Sequence, residues 1–213
     1  MVKTAKRYFI VVLSFIFIGI GCAFTIKANI GLGAWDAIAN SVANIFGAKI
    51  GTIGMLFNCS CILGQIVIYR FKFRPVQLLQ IPVSILLGTV INFVYYNLLT
   101  FSLDNYMIRV IVCIASLIFC AFAVAMIMLI DAITCPLEAF CMALTTIVPI
   151  KFHVLRQHAD ILCIAAVGVM TVLFKIPLTV GVGTIIGMLI FGPALGLFMK
   201  VLQPALAKQN LLN

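Results

Sequence analysis

Six stretches nearly free of charge divide this chain, and each is long enough to cross a bilayer: about residues 8–26, 50–69, 76–98, 108–130, 157–174 and 176–199. A helix needs about 20 apolar residues to span roughly 30 Å of hydrocarbon. No soluble fold hides a chain that is 65% hydrophobic and 9% charged, with mean hydropathy +1.28. The runs are long and unbroken, whereas a membrane barrel shows weak alternating segments of about ten residues. The fold class expected is an all-α polytopic membrane protein. The net charge of +9 does not mean nucleic acid, because the basic residues lie between the apolar runs, where they set topology.

Two further apolar segments are too short to be spans. Residues 32–47 read LGAWDAIANSVANIFG, and residues 134–149 read TCPLEAFCMALTTIVP. Each carries one acid near its start, Asp36 or Glu138, followed by twelve uncharged residues (37–48 and 139–150). Twelve helical residues cover about 18 Å of the roughly 30 Å apolar core. The expectation is a short helix at 34–47 and another at 136–149, re-entrant or interfacial. Short interrupted segments at matching places in two halves are the usual sequence pointer to a transporter's binding site.

Basic residues choose between six and eight crossings. With six, and a cytoplasmic N-terminus, ten fall inside: Lys3, Lys6, Arg7, Arg70, Lys72, Arg74, Lys151, Arg156, Lys200 and Lys208. Four fall outside: Lys27, Lys49, Arg109 and Lys175. If the short segments crossed, the basic loop RFKFR at 70–74 would lie outside, against the positive-inside rule. Lys3, Lys6 and Arg7 before the first run imitate a signal sequence, and Gly21-Cys22 faintly resembles a lipoprotein cleavage site. That first run is long enough to span and lacks the leucine expected before the cysteine, so it reads as a retained helix.

Three crossings per half is an odd number, so the second half must be inverted relative to the first. The repeats expected are residues 1–103 and 104–213. Asp36-Ala37 matches Glu138-Ala139 and Lys49-Ile50 matches Lys151-Phe152, both at an offset of 102. Gly88-Thr89 matches Gly183-Thr184 at an offset of 95, so about seven residues are lost between.

The residues that could carry chemistry are few. Asp36 and Glu138 suit the N-termini of their helices, where unpaired N–H groups and the dipole favour an anion. They equally suit a cation or proton site, since intramembrane carboxylates are functional by default. Trp35 is an interfacial anchor or a cavity wall. Arg156 and Asp160 are four apart on one helix face, either an interfacial pair or a gate. His153 and His158 nearby read as interfacial or as protonation switches, and Asp131 as interfacial. Asn92 and Thr184 complete the candidate solute- or ion-binding set of Trp35, Asp36, Glu138, Arg156 and Asp160. Asn58, Asn97 and Gln65 are further polar residues in the spans, suited to interhelical bonding or to an aqueous cavity. Gly183, Gly187, Gly192 and Gly196 read as close-packing positions, and Pro193 as a kink or break. All eight cysteines fall in apolar runs and read as packing residues. No metal-ligand spacing, phosphate loop or nucleophile–base set occurs, so neither an enzyme nor a cofactor is expected.

The motifs GLGAWDAIAN, PLEA at 136–139, FHVLR at 152–156 followed by Asp160, VGVGT at 180–184 and FGP at 191–193 resemble the YczE/YyaS/YitT family of bacterial membrane proteins. Ala34 stands where that family has proline, Glu138 where it has aspartate, and Asp160 where it has glutamate. The resemblance implies a multi-pass repeat protein of the bacterial cytoplasmic membrane; it implies no substrate. The function expected is a secondary transporter or permease of a small solute, proton- or cation-coupled. The alternatives are a passive channel, or a non-transporting regulatory or scaffold membrane protein acting through a partner. Expected partners are the bilayer, a small solute or ion and, as an open option, a second copy in a homodimer. Both termini are expected in the cytoplasm.

Overall fold

The computed structural model describes residues 2–209 and 211, and among these every regular element is helical. Six helices are long and apolar enough to cross a membrane. They are α1 (Val2–Ala28), α3 (Ile50–Tyr69), α4 (Gln80–Phe93, continued by a wide π-type turn over Val94–Leu98), α5 (Tyr106–Ile130), α7 (Phe152–Phe174) and α8 (Val182–Lys208). Two short helices lie between them, α2 (Ala34–Phe46) and α6 (Pro136–Leu144).

The element ends depart from expectation where local chemistry overrides hydropathy. Helix α8 starts at Val182, not near 176. Lys175 is left-handed at φ +53°, and Pro177 disfavours the helical region at Ile176 before it. Residues 175–181 form no helix. Pro193 does not break α8, which continues through it to Lys208. Helix α2 ends on Gly47, left-handed at φ +63°. Helix α6 is shorter than the expected 136–149, because Thr145 and Thr146 turn their hydroxyls back to the carbonyls of Met142 and Ala143, both at 2.7 Å. Such local bonds compete with the helical ladder.

Arg7 donates to the carbonyl of Ile130, which sets the start of α1 beside the end of α5 and makes the two antiparallel. Lys6 donates to Gln209 at 2.9 Å, so the start of α1 and the end of α8 share one end of the bundle. At the opposite end, the link into α2 and the link into α8 are laced together. Leu32 N–H donates to Thr179 O at 3.0 Å and Gly183 N–H to Ile30 O at 2.7 Å. Gly31 makes this possible: its φ is +117°, and a Cβ there would stand 2.5 Å from Gly181 N.

Helices α1 and α5 form the central pair, with α4 packed on α1, α8 on α5 and α3 on α4. The short helices reach across the chain's midpoint: α2 lies against α7 as well as α3, and α6 against α3 as well as α7. Since α2 follows the end of α1 and α6 the end of the antiparallel α5, the two short helices start from opposite ends of the bundle. Val11, Phe15, Ile127 and Ile130 form the core where α1 meets α5. The outer faces of α7 and α8 are apolar and open, with Val172 78% and Met188 71% exposed. Such surfaces suit lipid.

Candidate functional site

Asp36 and Glu138 both occupy the third helical position, Asp36 after Ala34-Trp35 and Glu138 after Pro136-Leu137. Neither cap residue, Gly33 or Cys135, makes a side-chain cap bond. Each helix therefore presents one carboxylate where unpaired N–H groups and the helix dipole favour negative charge.

Each short helix is also held by a buried polar side chain from the other half. Thr179, in the link to α8, donates to Ala37 O of α2 at 2.9 Å and bonds Ser41 at 2.9 Å. Gln65, in α3, donates to Pro136 O of α6 at 3.2 Å and pairs with the Gln80 amide at 3.0 Å. A buried carbonyl near the start of each helix is thus satisfied from across the chain.

These fastenings bring the acids together around Arg156. From α7, Arg156 donates through Nε to Glu138 Oε1 at 3.4 Å and through Nη1 to Asp160 Oδ1. Its charge also acts on Asp36. Two of the chain's five carboxylates therefore share one guanidinium, and a third, Asp36, lies within reach of its charge. With all four groups ionised the cluster carries a net charge of −2. Arg156 is 28% exposed, and Glu138 and Asp160 are 37% each, so the centre is partly open to water.

Asp36 is the least compensated of the three. Its near partner is the Cys22 thiol, which donates to Oδ2 at 3.8 Å. Burial raises its carboxyl from the ordinary 3.8 to about 6, while the Cys22 contact and the Arg156 charge pull the other way. Trp35 meets the Phe57 ring of α3 at a tilt, with centroids 5.6 Å apart, and packs against Cys61, Leu137 and Cys141, so it forms a wall between the short helices.

The structure thus gathers Trp35, Asp36, Glu138, Arg156 and Asp160. Asn92 and Thr184 lie elsewhere and tie backbone together. Asn92 accepts from Gly51 N–H at 2.9 Å and donates to Thr52 Oγ1 at 3.1 Å. Thr184 is buried, donating to Leu32 O at 2.6 Å and accepting from Gly181 N–H at 3.1 Å. His153 and His158 are exposed. Sequence reasoning did not single out Thr179 or Gln80, and it read Cys22 as a packing residue rather than as a partner of Asp36; a thiol or amide among apolar residues gives no signal until its partner is known. Among the described residues, no group of three His, Cys, Asp or Glu could hold a metal ion.

The chain belongs to a family of unknown function, DUF6198, whose model matches residues 5–200. No curated protein and no solved structure matches it.

Proposed function

We propose that this multi-pass membrane protein is a secondary transporter of a small solute, driven by a proton or another cation at the Asp36–Glu138–Arg156–Asp160 cluster. One observation carries the reading: two short helices, starting from opposite ends of the bundle, each place a carboxylate near one arginine. A net-negative, half-open centre attracts cations. Its least compensated member, Asp36, takes up or releases a proton near pH 6.

In this reading the halves are inverted repeats, the short helices are re-entrant, and the links at 29–33 and 175–181 flex as the halves rock. The reciprocal packing of α2 on α7 and of α6 on α3 supports it. The motif resemblance to YczE/YyaS/YitT proteins adds the bacterial cytoplasmic membrane, and the basic-residue count adds cytoplasmic termini. No enzymatic step and no nucleic-acid partner belong to this reading.

Proteoliposomes loaded with a pH-sensitive dye, and challenged with a panel of small amines, amino acids and inorganic cations, test it. At least one solute should drive a proton or cation flux that Asp36→Asn abolishes. An undiminished flux in correctly inserted Asp36→Asn/Glu138→Gln protein would eliminate the mechanism.

A further inference from the structure

A polar cavity of about 360 Å³ opens at the end of the bundle that holds the start of α1. It shares no residue with the Asp36 cluster. Arg7 and Tyr8 of α1, Arg74 and Gln77 of the α3–α4 link, and Thr134 of the α5–α6 link line it. Two guanidiniums face one acid there, Asp131, which is itself engaged. Arg70 and Lys72 stand in the same link and add to the positive field.

Arg7 is the informative group. Its Nη2 is used on Ile130 O, but its Nε–H is out of contact with solvent and has no partner among the described residues. A buried cationic donor without an acceptor is costly to keep. An acceptor-rich, doubly charged group entering the cavity would meet the Arg7 side chain that lines it and the exposed Arg74 guanidinium, with the hydroxyls of Tyr8 and Thr134 as further donors. Arginine forks match phosphate oxygens better than any other common anion. The volume admits a ligand the size of a glycerol phosphate, at the small end of known ligand pockets.

We propose that this cavity binds a phosphate group, carried either by a phospholipid headgroup or by a soluble phosphate compound. Basic pockets at the ends of membrane helices hold lipid headgroups by this chemistry.

Thermal unfolding of delipidated, detergent-purified full-length protein distinguishes the sources. Wild type and Arg74→Gln are each titrated with inorganic phosphate, glycerol phosphate, phosphatidylglycerol and, as control, phosphatidylcholine. Arg74 is exposed, so its replacement leaves the fold intact, and comparison with the variant removes the general stabilising effect of phosphate salts. A shift in wild type that needs roughly tenfold or more ligand in Arg74→Gln is expected. If phosphate and glycerol phosphate produce it, the ligand is soluble; if only phosphatidylglycerol does, it is a headgroup. No shift with any anion, or equal shifts in both proteins, would overturn the proposal.

Discussion

Replacing Gly51 by alanine should lower the thermal unfolding midpoint by roughly 3–10 °C, or prevent stable insertion altogether. The cause is a backbone-to-backbone contact between α3 and α4. A Cβ on Gly51 would stand 2.1 Å from the carbonyl oxygen of Gly88, and a Cβ on Gly88 would stand 2.4 Å from that of Gly51. Neither oxygen can rotate away as a side chain would, so the helices must separate. Separation would also break the bond from Gly51 N–H to Asn92 at 2.9 Å. Overpacking of this kind costs about 1–3 kcal/mol. Gly192→Ala and Gly196→Ala provide the control, because a Cβ at either position meets open space. Both should leave the midpoint unchanged, although sequence pattern alone ranks them with the packing glycines.

Substitutions within the one charge cluster should act with opposite signs. Arg156→Gln leaves Glu138 and Asp160 facing each other without their shared cation. Breaking a fully buried pair costs about 3–5 kcal/mol, and the partial exposure here reduces that to roughly 1–3 kcal/mol. Adding Asp160→Asn should recover part of the loss. Asp36→Asn should behave differently. Asp36 has a thiol rather than a cation as its near partner, so removing its charge relieves a desolvation cost.

The pH dependence follows from the same asymmetry. The folded carboxyl titrates near 6 against an ordinary 3.8, so between those values the folded state holds more protons than the unfolded state. Its contribution to stability must then fall as pH rises through that window, by roughly 2 kcal/mol in all. Unfolding midpoints measured from pH 4 to 7 should show this decline in wild type and less of it in Asp36→Asn. A variant that is destabilised at every pH would mean that Asp36 serves the fold rather than a cation. Retaining a destabilising carboxylate is the signature of a residue kept for function.

Much of this architecture is written in the chain because charge interrupts the apolar runs so sharply. The spans at 50–69 and 108–130 correspond closely to α3 and α5. Hydropathy misplaced the start of α8, since Ile176, Leu178 and Val180 are as apolar as a helix requires. Pro177, which disfavours a helical Ile176, and the bonds of Thr179 and Gly183 to Leu32 and Ile30 go with a non-helical course there. The Arg156–Asp160 contact was legible from its spacing of four. The Glu138–Arg156 bond and the influence of Arg156 on Asp36 were not, because both depend on short helices crossing to the other half. Thr184 and Asn92 drew attention as polar residues in apolar runs; each is consumed by the backbone of a neighbouring segment.

The proposed shared site requires α2 and α6 to enter the membrane from opposite faces. A version with the eight native cysteines replaced can carry a single cysteine at Gly33, where a side chain meets open space, or at Ala132, beside the cavity at the other end. Labelling intact cells and inverted vesicles with a membrane-impermeant maleimide reads the side of each. Gly33→Cys should react only from outside and Ala132→Cys only from the cytoplasmic face. Reaction of both from the same face would contradict the inverted arrangement and the shared site built on it.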